Sequence, residues 1–385
     1  MNTPFTFGKI ASGMEFTNRK ADILRLVNNF LSGNNTILIS PRRWGKSSLV
    51  KKSAEEAVKE DKNLRFCFID LYNIRKEEEF YQVLAQEVIK VSSAKWEERV
   101  NYTKKLISQF IPKITYTPDS ISEFSLGLDW KEVKKQPEQI INIAEKLAIE
   151  KKIKIVICID EFQNISEFEN PLAFQKQLRA NWQKHSNVIY CLYGSKRHMM
   201  LEVFTSSSMP FYKFGDLFFL EKISEEHWIE FITSRFKDTG KSISPEDAGF
   251  MAKLVEYHPY YVQQLAQLSW LRCLKNCGRS EVLEAHNQLI MQLSLLFQNI
   301  TDSLTTTQIN YLHAVLKKVE QLSSKETLSI YRLGTSANVL RIKNALISKE
   351  ILDFTGVNTE FLDPAYKMWL SIHYFKLQNE PVNLI

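Results

Sequence analysis

The chain has 385 residues, of which 44% are hydrophobic and 24% charged, and its formal net charge is +6. These values are typical of a globular protein that is long enough for two or three domains. No apolar run approaches the roughly 18 residues of a membrane span, and the N-terminus lacks the pattern of a signal peptide. We therefore expect a cytoplasmic protein without a membrane partner, whose mild positive charge permits nucleic acid as a partner but does not require it.

The first half of the chain alternates predicted strands with predicted helices. Strands are predicted over 36–40, 65–70, 152–159, 187–195 and 217–220, and helices over about 18–31, 46–59, 76–91, 140–150 and 171–185. The run at 152–159 is apolar almost throughout, which is typical of a central strand in a parallel sheet. The alternation predicts a doubly wound α/β fold in which ligands bind at the carboxyl ends of the strands.

Residues 95–136 interrupt this alternation. We expect them to form an insertion on the surface of the core. A helix is predicted over about 95–110. Apolar and polar residues alternate weakly over 123–130, so this segment is predicted to pair with 114–117 as a hairpin.

The stretch between the first strand and the following helix has the pattern of a phosphate-binding loop. A helix that begins with Gly-Lys-Ser leaves backbone N–H groups unpaired for a phosphate, while the lysine adds a positive charge and the next hydroxyl can ligate Mg²⁺. The usual pattern has a glycine where this chain has Ser40, so we expect Ser40 to allow a tight turn. The residues expected to bind the nucleotide are Pro41, Arg42, Arg43, Trp44, Gly45, Lys46, Ser47 and Ser48. Since Arg42 and Arg43 are adjacent, we expect at least one of them to belong to an exposed basic rim.

Two acidic residues follow the apolar strand at 152–159. In phosphoryl transfer, one carboxylate can place Mg²⁺ and a second can polarise the attacking water. We assign the first role to Asp160, together with Ser47, and the second to Glu161. This is the pattern of a Walker B motif with a catalytic glutamate.

The second half of the chain is mostly helical. Helices are predicted over about 225–237, 245–256, 259–275, 280–298, 305–322 and 337–348, with a capping box at Ser323–Glu326 before a further helix and short strands at 351–355 and 360–362. Helix, helix, turn, helix and hairpin is the order of a winged helix. We therefore predict an ATPase core at 1–222, an all-α lid at 223–299 and a winged-helix domain at 300–385.

With these motifs, the chain resembles the AAA+/STAND-related prokaryotic P-loop ATPases. The further marks of the resemblance are Phe16–Arg19, Asp160–Gln163, Gly194-Ser195, Ser208–Tyr212, His258–Tyr260 and Asp363–Tyr366. The resemblance implies that Ser195 senses the γ-phosphate and acts in catalysis with Lys46 and Glu161. It also implies that His258 and Pro259 reach the phosphates, and that Asn18 and Arg19 lie near the adenine. Arg197 and Lys213 are candidates for an arginine-finger role.

The predicted third helix of the winged domain raises the question of DNA binding. Its basic residues Arg341, Lys343 and Lys349 could contact phosphates, and Asn338 and Asn344 could contact base edges. Such a module can equally serve as a structural or protein-binding piece. Duplex DNA, a protein partner and an oligomer all remain open at this stage.

Two functions from different classes follow from these residues. The first is a Mg²⁺-dependent ATP hydrolase with slow turnover, in which the ATP- or ADP-bound state moves the lid and the winged helix. The alternative is a nucleotide-gated switch with negligible turnover that binds DNA or a protein. A small-molecule kinase is a weaker third reading, because neither lid nor winged helix builds an acceptor pocket.

Overall fold

We analysed a computed structural model that describes residues 3–9, 16–17, 19–92, 128–355 and 358–377. These residues form two compact units. The first unit is Arg19–Glu221, and the second combines the N-terminal residues 3–9 and 16–17 with the chain from Lys222 onwards. The predicted helix at 95–110, the predicted strand at 114–117 and residue Asn18 lie outside the described residues.

The first unit is built on five parallel strands, as the sequence predicts. The strands are β1 (Thr36–Ile39), β2 (Leu64–Asp70), β3 (Lys154–Asp160), β4 (Val188–Gly194) and β5 (Asp216–Phe219). Their order in the sheet is β2-β3-β4-β1-β5. The strand that leads into the phosphate-binding loop, β1, is therefore separated from the acidic strand β3 by β4.

Helices cover both faces of this sheet. They are α1 (Lys20–Ser32), α2 (Lys46–Glu60), α3 (Glu77–Ser92), α4 (Trp130–Lys135), α5 (Glu138–Ile141), α6 (Ile143–Lys151), α7 (Pro171–Trp182) and α8 (Arg197–Thr205), with a 3-10 helix at Phe162–Glu167. Ile155, Ile157 and Ile159 of β3 share one buried cluster with α3, α6 and α7. Phe30 of α1 packs edge-on against Phe66 of β2 on the opposite face. This alternation of sides with a period of two is what a strand buried on both faces requires.

The second unit is mainly helical. Its elements are α9 (Glu225–Lys237), β6 (Ser242–Ile243), α10 (Pro245–Leu254), α11 (Pro259–Arg272), β7 (Asn276–Cys277), α12 (Arg279–Asp302), α13 (Thr306–Leu316), α14 (Lys325–Ile330), α15 (Ser336–Ser348), β8 (Leu352–Thr355), β9 (Asn358–Phe361) and α16 (Pro364–Trp369), followed by a π-helical turn at Leu370–Tyr374. The prediction of an all-α lid at 223–299 was wrong in one detail, because β6 and β7 pair in parallel. Two-residue strands are too short to show an alternating pattern in the sequence.

Several element boundaries differ from the predictions. Trp130 begins α4 rather than ending a strand, since Asp129 caps that helix by accepting from Lys131 N at 3.0 Å. The helix predicted over 140–150 is broken at Asn142, whose side-chain amide bonds Asn181 and His185. The long helix predicted over 305–322 ends at Leu316.

The capping residue of α14 also differs by one position from the predicted capping box. Ser324, and not Ser323, is the N-cap, and its hydroxyl accepts from Thr327 N at 3.2 Å. The side chain at the third helical position is therefore Thr327 and not Glu326. The predicted reciprocal contact from Glu326 does not apply, because the register of the helix is shifted.

The N-terminal segment does not belong to the unit in which the sequence placed it. We expected residues 1–222 to form the core, but Phe5 is 2% exposed and packs against Phe231 and Phe236 of α9. Three buried aromatic rings hold this segment on the second unit. The division of the chain from Lys222 onwards into a lid and a winged helix stays a prediction.

No helix in the described part of the chain is both long and apolar enough to cross a membrane. The cytoplasmic location stays a prediction.

The buried ring of Trp182 is expected to be a major contributor to the stability of the first unit. It stacks on Tyr190 with centroids 4.0 Å apart and is 2% exposed. We predict that Trp182→Ala lowers the free energy of unfolding by about 3–5 kcal/mol, because it leaves a cavity in the core. Urea denaturation followed by circular dichroism measures this. Leu172→Ala on the exposed face of the same helix is the control and should cost less than about 0.5 kcal/mol.

Candidate functional site

The phosphate-binding loop continues directly from β1. Ser40 is fully buried, and its backbone N donates to Gly194 O at 3.2 Å, so it extends the pairing of β1 with β4. Ser40 is not among the described residues with positive φ, whereas Arg43 (φ 63°) and Gly45 (φ 92°) are. The left-handed turn that only glycine adopts easily therefore falls on Gly45 and Arg43. A serine at position 40 imposes no backbone strain.

Gly45 is the N-cap of α2, and no acidic residue lies in the first turn of that helix. The N–H groups of this turn and the helix dipole therefore favour an anion at the carboxyl edge of the sheet. Arg42 and Arg43 are both exposed, and the Arg42 guanidinium lies over the Tyr72 ring at 6.0 Å from its centroid. The two arginines thus form the exposed basic rim that the sequence predicted for at least one of them. Of the remaining loop residues, Pro41 and Trp44 are half-buried and Ser48 is buried.

Lys46 connects the loop to the acidic pair. Its ammonium Nζ lies 2.8 Å from Glu161 Oε1 and 3.0 Å from Asp160 Oδ1. Ser47 Oγ donates to Asp160 Oδ2 at 2.6 Å. The ammonium and both carboxylates are each less than one-fifth exposed, so water screens their attraction weakly. The side chains predicted from two separate motifs therefore meet at one place.

Ser195 and Gln163 fix the second carboxylate oxygen of Glu161. Ser195 donates to Glu161 Oε2 through Oγ at 2.9 Å and through its backbone N at 3.2 Å. Gln163 Nε2 donates to the same oxygen at 2.6 Å. Glu161 itself has φ 51° and ψ 41°, a left-handed conformation that is uncommon for a side chain of this size. Such a conformation persists where surrounding contacts over-determine it, as these contacts do.

Gln163 was assigned no role from the sequence. Its side chain reaches Glu161 by passing close to Gly194. A Cβ atom at Gly194 would lie 1.9 Å from Gln163 Oε1 and 2.9 Å from Met200 Sδ. Only glycine lets the Gln163 amide approach the end of β4. The sequence feature that indicates this close approach is the glycine in the Gly194-Ser195 pair at the end of a buried strand.

The ionisation of the site follows from burial and from Lys46. Burial raises the pKa of Glu161, but Lys46 and the hydrogen bonds from Gln163 and Ser195 outweigh it and lower the pKa to about 2. Burial raises the pKa of Asp160, an effect that Lys46 and Ser47 only partly counter. Burial lowers the pKa of Lys46, yet the two carboxylates more than compensate and raise it. At neutral pH the Lys46 ammonium and the Glu161 carboxylate are both charged.

The oxygen atoms around Asp160 fit Mg²⁺ rather than a softer metal. A hydroxyl and a carboxylate are hard oxygen ligands, and Mg²⁺ commonly takes one or two of these from the protein and the rest from phosphates and water. Within the described ranges, no group of three or more His, Cys, Asp or Glu side chains could hold a metal ion. Ser47 and Asp160 could therefore contribute only part of a Mg²⁺ coordination shell.

The remaining predicted residues lie in different surroundings. Buried Arg19 donates to Glu221 O at 2.6 Å and pairs with Asp22 at 3.4 Å, so these contacts anchor the start of α1. His258, the N-cap of α11, is 5% exposed and belongs with Pro259 to the second unit.

The two finger candidates both lie over aromatic rings. Arg197 stacks over Phe219 at 4.5 Å from the ring centroid, and Lys213 lies over Tyr212 at 5.2 Å. Their proposed roles, and those of Asn18, Arg19, His258 and Pro259, stay predictions.

A parallel sheet, a phosphate-binding loop and an acidic pair joined by the loop lysine together define a P-loop ATPase. The chain belongs to the family described as an ATPase domain predominantly from Archaea, whose model matches residues 16–265. It is thus a nucleotide-binding ATPase by family. No curated protein matches the sequence.

Solved structures share the fold. The chain is similar to a Walker-type ATPase of Pyrococcus abyssi at 15% identity and a TM-score of 0.65, covering 96% of this chain and 100% of that one. It matches the ORC1 protein of Aeropyrum pernix in complex with DNA at 12% identity and a TM-score of 0.48, covering 94% of each chain. It also matches the RuvB Holliday junction branch migration motor of Thermotoga maritima at 13% identity and a TM-score of 0.44, covering 92% and 95%. The first of these likenesses supports the fold alone.

The depressed pKa of Glu161 predicts a specific dependence of stability on pH. Because the pKa falls from 4.5 to about 2 on folding, ionised Glu161 stabilises the protein above about pH 5. This contribution is lost as the pH falls towards 2, and 2.5 pKa units set its upper limit at about 3 kcal/mol. The raised pKa of Asp160 acts in the opposite sense and offsets part of it.

We therefore expect the difference in unfolding free energy between the protein and Glu161→Gln to shrink steadily between pH 6 and pH 3. Urea titrations at each pH measure it. The exposed Glu169→Gln is the matched control and should change the unfolding free energy only slightly. A Glu161→Gln difference that does not change with pH would contradict the assignment.

Proposed function

We propose that the protein binds ATP together with Mg²⁺ at the carboxyl edge of its parallel sheet and hydrolyses it slowly. The observation that carries this proposal is the cluster in which Lys46 joins Asp160 and Glu161, while Ser195 holds Glu161 from the neighbouring strand. A cation, two carboxylates and a hydroxyl gathered at a helix N-terminus match what phosphoryl transfer requires. Membership in an ATPase family supports the same reaction.

In this proposal, the loop N–H groups and the Lys46 ammonium bind the phosphates, and Trp44, Arg42 and Arg43 border them. Mg²⁺, held by Ser47 and Asp160, would neutralise the charge that develops on the phosphate oxygens. Ser195 keeps Glu161 oriented and is proposed to contact the γ-phosphate. The sensor role of Ser195 rests on the resemblance and on its contact with Glu161.

Glu161 is the proposed general base that accepts a proton from the attacking water. With a pKa of about 2 it is a weak base while Lys46 is paired with it. When Lys46 turns to a phosphate, that ion pair is lost and burial raises the pKa of Glu161. Substrate binding would thereby activate the base only when a phosphate is in place.

The second unit is the proposed moving part. We propose that residues 223–299 serve as a helical lid and that 300–385 serve as a winged helix, because α13, α14 and α15 precede the β8–β9 hairpin. His258 and Pro259 are the lid residues proposed to reach the phosphates. Turnover should be slow unless Arg197, Lys213 or a second molecule supplies an arginine-finger charge, which is worth about 10³–10⁵ in rate.

Removing the proposed base tests the mechanism. We predict that Glu161→Gln binds ATP at least as tightly as the original protein, because Lys46 no longer has to leave a Glu161 carboxylate, and hydrolyses it at least about 100-fold more slowly, because the amide cannot accept the proton. ATP affinity is measured by calorimetry and phosphate release at steady state. Glu169→Gln, an exposed acid on the same segment, should change neither value. Unchanged turnover in Glu161→Gln would refute the role of Glu161.

A second function is favoured by the solvent-facing surface of α15. Arg341 and Asn344 are exposed there and Lys349 is exposed directly after the helix, while Val339 and Ile342 are buried. Asn338, one of the two candidates for base-edge contacts, donates through Nδ2 to Leu333 O at 2.8 Å. The alternative proposal is a nucleotide-gated switch with negligible turnover, in which this surface binds duplex DNA or a protein.

The two functions differ in one pair of measurements. If α15 binds duplex DNA through phosphates, Arg341→Ala should weaken binding and reduce the salt dependence of the affinity by about one ion. Fluorescence anisotropy with a labelled duplex, with and without ATP, measures this. Arg272→Ala, an exposed arginine on α11, is the control. DNA binding that changes with nucleotide while ATP is not turned over supports the switch. If no DNA is bound, a protein partner is the remaining candidate for the switch.

A further inference from the structure

The second unit contains a cavity of about 270 Å³ that none of the functions above uses. Four segments line it. They are Lys222 ahead of α9, the end of α10 with the loop that follows it, the end of α13 with Lys318 just after it, and α16 with its π-helical turn. The cavity thus lies where the helices after Ser224 meet the C-terminal helices.

The lining combines an apolar surface with a positive rim. Leu254 and Met368 are buried at 2% and 8% exposure, and Pro364 is buried beside them. The charged lining residues are Lys222, Lys253, Lys318, Lys367 and Glu256, so four positive charges face one negative charge and the formal sum is +3. Lys367 and Glu256 pair with each other. The lysines that are not in this ion pair are exposed at the rim.

Ser371 supplies an unsatisfied polar atom in the same wall. The residue is 2% exposed, and its hydroxyl oxygen has no hydrogen-bond partner among the described residues. Buried polar atoms nearly always find a partner, so an unpaired one indicates a site for a bound water or a ligand. Ser371 lies within the π-helical turn Leu370–Tyr374, and such turns are frequent at functional sites.

The backbone conformation of Lys318 also supports a ligand site at this cavity. Lys318 follows the end of α13 with φ 56°, a left-handed conformation in which glycine is favoured at helix ends. A lysine is more strained than glycine in this conformation, and the lysine found here places an ammonium on the cavity rim.

We propose that this cavity binds a small amphipathic anion, with the head group near Ser371 and the lysines and a short apolar body against Leu254, Met368 and Pro364. The head group is a carboxylate or a phosphate monoester, because both accept hydrogen bonds from a hydroxyl and pair with ammonium groups. An apolar body without charge would leave the lysine rim unused. An inorganic anion without a body would leave the apolar wall unused.

The test titrates the full chain with octanoate by isothermal calorimetry. We expect a dissociation constant of about 1 mM or tighter, as for a ligand of this size. Octyl phosphate carries a phosphate head group on the same apolar chain, and it should bind as tightly as octanoate or more tightly. Octylammonium lacks the anionic head group and acetate lacks the apolar body, and both should bind at least about tenfold more weakly. Equal binding of octylammonium, or no binding of octanoate, overturns the proposal.

Substitutions locate the site on the cavity. Ser371→Ala should weaken octanoate binding about tenfold without lowering the melting temperature, because the hydroxyl has no partner to lose. Ser269→Ala is the matched control, since Ser269 Oγ is also buried without a partner among the described residues but does not line the cavity. If Ser371→Ala leaves the affinity unchanged, the head group is not where we place it.

Lys318→Gly separates ligand binding from folding. Glycine suits the left-handed backbone, so the melting temperature should stay the same or rise while octanoate affinity falls several-fold. Arg332→Gly is the control, because Arg332 has φ 50° and does not line the cavity. Lys46→Ala should leave octanoate binding unchanged. Loss of binding in Lys46→Ala would assign the signal to the phosphate-binding loop and overturn the proposal.

Discussion

The Lys46 ammonium is the charge on which the edge of the sheet depends. It lies within 3.0 Å of both Asp160 and Glu161, two neighbouring carboxylates that would otherwise repel each other away from water. Removing one partner of a buried ion pair typically costs about 3–5 kcal/mol, because the remaining charge is left uncompensated. Here one cation serves two anions. The pairing also ties α2 to β3 across β4, so the phosphate-binding loop is held in place by the residues of the second motif.

The sequence carried enough information to predict this meeting but not its details. Apolar runs located all five strands, and the rule that ligands bind at the carboxyl ends of parallel strands placed Lys46, Glu161 and Ser195 at one edge. The contact of Gln163 with Glu161 could not be predicted, because it depends on the left-handed backbone of Glu161 and on the missing side chain of Gly194. Neither feature has a periodic signature. The break at Asn142 was hidden for a similar reason, since it arises from contacts with residues about 40 positions away.

Position 40 lacks the glycine of the usual motif, and the backbone geometry shows that the loop does not need a glycine there. Ser40 continues the strand with a hydrogen bond to Gly194 O, and extended backbone accepts any residue. The strain instead falls on Arg43, where a left-handed φ of 63° costs roughly 1–2 kcal/mol relative to glycine. An arginine that keeps such a conformation next to a helix N-terminus is consistent with a loop shaped for a ligand rather than for stability alone.

In the proposed mechanism, the contacts that stabilise the site are exchanged when a nucleotide binds. A triphosphate offers Lys46 a partner of higher charge than Glu161, and each pKa unit that Glu161 then regains corresponds to about 1.4 kcal/mol of lost pairing. Part of the binding energy would therefore compensate for the broken ion pair, and the affinity would be lower than the proposed phosphate contacts alone suggest. The proposed exchange would leave a more basic Glu161 carboxylate beside the phosphate. The network of Ser195 and Gln163 keeps that carboxylate in place while its charge partner leaves, so orientation and activation of Glu161 depend on different residues.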